Sequence, residues 1–152
     1  MFFDLKDLYQ QVIVDHNKHP RNFREIESCS HDADGYNPLC GDQLHVYLKV
    51  NEHHLVQDIS FKGTGCAISI ASASLMTETM TGKTVDEAKV LFESFQQMVT
   101  SDITEEQDFS HLGKLAALAG VREFPSRIKC AILCWHTVQA ALSGDQDAAR
   151  TE

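Results

Sequence analysis

The residues of this chain best able to do chemistry are its five cysteines, and they are not placed alike. Cys40 lies in Asn37-Pro38-Leu39-Cys40-Gly41-Asp42, between a proline that fixes the backbone and a glycine that frees it. This presents a thiol at a turn, and a tight bend at Gly41 lets the Asp42 carboxylate reach the same point; a capped turn carrying a chance cysteine is the plainer alternative. Cys66 follows Gly63-Thr64-Gly65 and opens a segment of small residues, so its sulfur is expected at a helix N-terminus, where the dipole favours thiolate over thiol. Cys130, in Ser126-Arg127-Ile128-Lys129-Cys130, is expected in the first turns of another helix with two cations beside it, which again favours the ionised sulfur. Cys134, next to Ala131, Trp135 and Val138, reads as a small buried hydrophobe. Cys29 sits in a polar stretch near His31 and reads as incidental, while being the main competitor for a fourth ligand position.

One metal site is the economical reason for Cys40, Asp42, Cys66 and Cys130 together. Three thiolates and a carboxylate make a tetrahedral set suited to zinc or to iron–sulfur chemistry. The long separations between these cysteines differ from the paired C-x-x-C knuckles of structural zinc modules, which disfavours an all-structural zinc domain. The eight histidines are read mostly as surface or cap residues, and no pair has metal-binding helical spacing linked to a catalytic Glu. Two glycine motifs fail as nucleotide loops. The third glycine of a dinucleotide fingerprint would fall on Ile68, and the phosphate loop that Gly82-Lys83-Thr84 imitates has Thr77 where its first glycine belongs.

The elements that must position these residues follow from periodicity. Leu5, Leu8, Tyr9, Val12 and Ile13 predict an amphipathic helix that opens at an Asp4 cap and stops before His19-Pro20. From Arg21 to Leu39 apolar periodicity disappears, so a long loop or short edge strand is expected. Leu44, Val46, Leu48 and Val50 alternate with polar residues, Asn51 to His54 turn the chain, and Leu55, Ile59 and Phe61 complete an antiparallel hairpin. A closely packed helix should follow Cys66. Thr84 with Glu87 signals a capping box, before a helix burying Ala88, Leu91, Phe92, Phe95 and Val99. An acidic break from Thr100 to Asp108 precedes a short helix through Leu112, Leu115, Ala116 and Ala119 that ends at Gly120. Pro125-Ser126 starts a last helix with Ile128, Ala131, Ile132, Trp135 and Val138 inward, and the tail after Gly144 is expected to fray. Strands early and helices late predict an α+β fold: a small antiparallel sheet, the hairpin plus an edge strand, against a layer of about five helices.

Composition bounds the rest. At 152 residues, with 43% hydrophobic and 23% charged residues, one globular domain over 1–152 is expected. The net charge of -9 disfavours nucleic acid and anionic membrane as partners, and no apolar run is long enough for a span. The amino terminus has no basic stretch followed by an apolar run, so a signal peptide is not expected and the protein is read as cytoplasmic. In that reducing compartment the thiols serve metal binding, catalysis or burial rather than disulfides.

Taken together, Asp15-His16 with Pro20-Arg21-Asn22, Cys40-Gly41-Asp42, Gly63-Thr64-Gly65-Cys66-Ala67-Ile68-Ser69 and Arg127-Ile128-Lys129-Cys130 resemble the IscU/NifU-like iron–sulfur cluster assembly proteins, from the first helix to the last. Within that family the chain is most similar to the SufU branch. Lys129 stands where IscU scaffolds carry a histidine, their Pro-Pro-Val-Lys motif is missing, and the stretch around Thr100 to Gly120 resembles the SufU insertion. The resemblance implies an IscU/SufE-like fold and a zinc-dependent sulfurtransferase acting beside a SufS-type pyridoxal-phosphate cysteine desulfurase. It implies that Cys40 accepts the persulfide sulfur, that Cys40, Asp42, Cys66 and Cys130 hold zinc, and that Arg127 stands beside the site. It further implies that a desulfurase histidine displaces Cys40 from the metal and that a SufB/C/D-type scaffold lies downstream. Two alternatives stay open: a scaffold on which a labile [2Fe–2S] cluster is built with Cys40, Cys66 and Cys130 as ligands, and a structural zinc fold with an unrelated binding role.

Overall fold

The computed structural model describes residues 5–101, 109–144 and 149–150. The expected Asp4 cap, most of the acidic break and most of the tail after Gly144 lie outside the described residues.

Helix α1, Leu5–Lys18, turns Tyr9, Ile13 and His16 inward at helical spacing and ends where Pro20 cannot continue it. Strands β2, Asp42–Val50, and β3, Val56–Thr64, form the expected hairpin. Its turn is built on Asn51, whose Oδ1 accepts from the backbone N–H groups of His53 and Leu55 at 2.9 and 3.0 Å. The sheet order is β3-β2-β1-β4, with β1, His31–Asn37, the outer strand of the three antiparallel ones and the two-residue β4, Ala149–Arg150, pairing parallel to it.

Strand β1, His31–Asn37, is where the polar loop was expected to dominate, and it runs seven residues. Its inward row is Ala33, Gly35 and Asn37, so the alternation is one of size and not of hydrophobicity. Helix α4, Pro125–Ser143, explains the small residues. A Cβ on Gly35 would stand 1.9 Å from Thr137 Oγ1 and 3.2 Å from Leu133 Cδ1, so the helix lies directly on the strand backbone. Proline opens α4 and Gly144, at φ 75, closes it in the left-handed conformation.

Helix α2, Ala67–Met80, lies between α1 and α4 and is buried on nearly every side, which small residues permit. Its serines act as polar ties: Ser72 Oγ donates to the Ala131 carbonyl at 2.6 Å, and Ser74 Oγ meets His16 Nδ1 at 2.7 Å and accepts from Arg21 N at 2.8 Å. His16 is thus a buried, bonded residue and not the surface or cap histidine expected. Helix α3, Val85–Thr100, carries the capping box, with Thr84 and Glu87 exchanging hydrogen bonds at 3.1 Å each, and Phe95 stacks on Trp135 at 4.9 Å. The expected short helix ending at Gly120 is instead a run of 3₁₀ turns from Ser110 to Glu123, broken at Gly113 and continuing past Gly120. Leu112, Leu115, Leu118 and Val121 are buried at every third position, the spacing that three residues per turn stacks on one face. The architecture is α+β, with three antiparallel strands and five helical elements, and no helix among the described residues is long and apolar enough to cross a membrane.

On the sheet's outer face, His45 Nε2 and Nδ1 meet Asp32 (2.8 Å) and Asp34. Burial lowers the His45 pKa, while hydrogen bonds to Asp34 and Asp32 raise it by more, so the balance is upward. Its stabilisation is then complete below the ordinary histidine value of about 6.5 and is lost as pH rises through the raised folded value. The melting-temperature gap between wild type and His45→Gln should therefore narrow as pH rises above about 6.5; a gap constant with pH contradicts this. Gly35→Ala should cost about 1–3 kcal/mol in urea unfolding through overpacking against Thr137, and an unchanged midpoint would show that α4 is free to move away.

Candidate metal and thiol site

Three chain reversals converge at one end of the sheet. Between β1 and β2 the chain turns in four residues, with Gly41 N donating to Asn37 O at 2.9 Å and Leu39 N to Asn37 Oδ1 at 3.3 Å. Gly41 takes φ 71, a conformation that glycine adopts without strain. Cys40 therefore sits half-buried at a loop tip, while Asp42, the first residue of β2, is fully buried. At the far end of β3 the chain passes through Gly65 into α2, and Cys66 is the N-cap, its sulfur accepting from Ser69 N at 3.5 Å. Cys130 lies in the second turn of α4, buried, and Arg127 stands one turn earlier on the same face.

The geometry ties these together. Asp42 Oδ1 accepts from Cys66 N at 2.9 Å, and Oδ2 accepts from Asn37 Nδ2 at 3.2 Å. Asn37 Nδ2 also reaches Cys130 Sγ at 3.4 Å. Cys130 Sγ donates to Cys40 Sγ at 3.3 Å, and Arg127 Nη1 donates to Cys40 Sγ at 3.2 Å. One donor atom each from Cys40, Asp42 and Cys130 lies within 4.8 Å of the others. Adjacent ligand atoms of a tetrahedral zinc with about 2.3 Å bonds to sulfur stand about 3.7 Å apart, so this donor set could close on one such ion by side-chain adjustment. Cys66 lies outside that tightest triad and is tied to it through its backbone N–H, which donates to Asp42 Oδ1.

The sulfurs are electrically unequal. The neighbouring Cys130 thiol holds the Cys66 pKa below the usual thiol range, against burial and with help from the backbone N–H of Ser69. Cys130 moves the other way: its bond to Cys66 comes first, then burial, then Cys40 and Asp42, and all favour keeping the proton. The expectation of a thiolate at Cys130 is thus overturned in the metal-free site. The Arg127 cation falls on Cys40, and Cys130 is the proton donor to that same sulfur. Cys134 is core as expected, near Ser72 Oγ at 3.5 Å, its thiol pushed up to about 12 by burial. Cys29 is free in the turn before β1, outside the group that gathers Cys40, Asp42 and Cys130.

Two residues here carry no sequence signal of a role in the site. Asn37 is fully buried and bonds Asp42 and Cys130 with one amide, and Ser69 is a buried serine beside Gly65. Only the position of Asn37 before Pro38 hints at an ordered turn. Asn37→Ala should cost about 1–3 kcal/mol in urea unfolding of the metal-free protein, because Asp42 Oδ2 loses its amide donor in a buried setting; a change below about 0.5 kcal/mol contradicts that role.

Residues 8–131 match the model of the NifU-like N terminal domain. The chain is 39% identical over 143 residues to the zinc-dependent sulfurtransferase SufU of Bacillus subtilis, covering 94% of this chain and 95% of that protein. It is 37% identical over 144 residues to the iron–sulfur cluster assembly scaffold protein IscU of Streptococcus pyogenes, covering 95% and 88%. The crystal structure of FiSufU from Fervidobacterium islandicum superposes with a TM-score of 0.80 at 32% identity, covering 90% of this chain and 97% of that one. With one fold, one order of motifs and these relatives in agreement, the chain belongs to the NifU-like N-terminal domain family of iron–sulfur cluster assembly proteins.

Proposed function

We propose that the protein is a zinc-dependent sulfur acceptor in iron–sulfur cluster assembly, with Cys40 as the residue that receives sulfur. The observation that carries this is the inequality of the sulfurs: Cys40 alone sits at a loop tip with a guanidinium on it at 3.2 Å, while Cys130 is enclosed and Cys66 caps a helix. Similarity to the Bacillus subtilis sulfurtransferase supports the same reading.

Cys40, Asp42, Cys66 and Cys130 would hold the zinc, which when bound keeps thiols deprotonated without any redox role. The chain's own residues set up the transfer. Gly41 lets the loop bend, so Cys40 can swing toward a partner while Asp42 stays fixed by Cys66 N and Asn37. Arg127 Nη1 donates to the Cys40 sulfur at 3.2 Å and fixes where that sulfur stands. Exposed Leu39 and Phe124 offer apolar surface beside Cys40 and Arg127 for a protein partner. That partner is a SufS-type pyridoxal-phosphate cysteine desulfurase carrying a persulfide. The Cys40 thiolate attacks the outer sulfur, a new S–S bond forms on Cys40, the bond to the donor cysteine breaks, and the donor leaves as a thiolate with no net oxidation. A SufB/C/D-type scaffold is the downstream acceptor.

A second reading is a scaffold for a transient [2Fe–2S] cluster on Cys40, Cys66 and Cys130, favoured by the similarity to the Streptococcus pyogenes scaffold. Metal analysis separates the two. Sulfur transfer predicts about one tightly held zinc per chain and no visible absorbance, together with faster alanine release by the desulfurase that Cys40→Ala abolishes. Stoichiometric iron and sulfide after mild reconstitution, or undiminished stimulation by Cys40→Ala, would contradict it.

A further inference from the structure

Ser69 lies in the first turn of α2, fully buried, and its hydroxyl has no hydrogen-bond partner. That is not the habit of this helix, since Ser72 and Ser74 are both engaged, at 2.6 and 2.7 Å. A buried hydroxyl without a partner is a cost to the fold, so its persistence calls for an acceptor that arrives later.

The acceptor is within view. The point where a Cβ on Gly65 would stand is 3.1 Å from Ser69 Oγ and 2.9 Å from Asp42 Oδ1, so hydroxyl and carboxylate face one another across the bare Gly65 backbone. Any side chain at position 65 would fill the gap between them. The two oxygens of Asp42 also have different surroundings. Oδ2 accepts from the Asn37 amide that reaches Cys130 Sγ, which makes it the edge turned toward the sulfurs. Oδ1 lies beside Gly65 and accepts from Cys66 N. A carboxylate oxygen has two lone pairs, so Oδ1 keeps one acceptor position, on the side of Ser69.

We propose that Ser69 is a positioning residue for the metal site: its hydroxyl donates to Asp42 Oδ1 when the site is loaded and holds the Oδ2 edge toward Cys40 and Cys130. The inference rests on the reading of Asp42 as a ligand. It makes the serine act with opposite sign in the two states. In the metal-free protein its hydroxyl is unpaired and costs stability, whereas in the loaded protein it orients a ligand, and such supporting hydrogen bonds typically carry 10–100-fold in metal affinity.

The test compares wild type, Ser69→Ala, Ser69→Thr, Asp42→Ala and the Asp42→Ala/Ser69→Ala double variant, each as the full chain. Zinc affinity is read by competition with a chromophoric chelator, and thermal unfolding is followed after metal removal. Ser69→Ala should melt at or above the wild-type temperature when metal-free, yet bind zinc at least about 10-fold more weakly. Ser69→Thr, which keeps the hydroxyl, should recover most of that affinity, and Ser69→Ala should cause no further loss once Asp42 is Ala. Wild-type affinity in Ser69→Ala, a lower metal-free melting temperature, or a full additional loss in the double variant would each overturn the role of Ser69. If Ser69→Thr does not fold, the alanine variants decide. Failure of the wild type to retain zinc overturns the metal reading itself and is seen in a different arm of the experiment.

Discussion

A carboxylate with no solvent exposure must be given hydrogen bonds, and at Asp42 that requirement draws three parts of the chain together. Its Oδ1 takes the backbone N–H at the N-terminus of α2, and its Oδ2 takes the amide of Asn37 from the end of β1. The same amide touches Cys130 of α4. The loop carrying Cys40 is the short piece of chain between the two partners of this contact, so its ends are fixed. Burial of one acid thus sets where all the sulfurs stand.

The sulfurs then differ by what surrounds them. Cys66 accepts from a backbone N–H at a helix start, Cys130 is enclosed and donates its proton to Cys40, and Cys40 is also met by Arg127. One donor atom each from Cys40, Asp42 and Cys130 lies within 4.8 Å of the others, a grouping that could hold a metal ion. The proposed division of labour follows from this inequality: enclosed ligands retain the ion, and the ligand on the flexible turn does the chemistry. Small residues support the arrangement. Gly35 brings α4 onto β1, and Gly65 leaves the approach between α2 and Asp42 open.

Most of the architecture was legible wherever apolar spacing declared it. The hairpin, the capping box at Thr84, the proline start of α4 and the inward faces of α1 and α3 all follow from period or cap chemistry. Strand β1 was not legible because its inward residues, Ala33, Gly35 and Asn37, are chosen for size against a helix that only tertiary structure brings there. The run from Ser110 to Glu123 was read at helical spacing, although its buried residues recur every third position. At the site, turn and helix-start cues single out Cys40, Asp42 and Cys130, the family resemblance adds Arg127, and the structure brings these four side chains close to one another. Asn37 and Ser69 were not found, since a buried polar residue looks like a surface one until its neighbours are known. The ionisation of Cys130 was misjudged for the same reason: nearby cations in sequence do not say which sulfur they face.

The central claim, that Cys40 is the sulfur acceptor, is tested most directly by peptide mass spectrometry after a single turnover of the desulfurase with isotopically labelled cysteine. The account predicts one labelled extra sulfur on the peptide containing Cys40 and none on those containing Cys66 or Cys130. Label on either of those two with Cys40 unmodified, or no label on the protein at all, would contradict it.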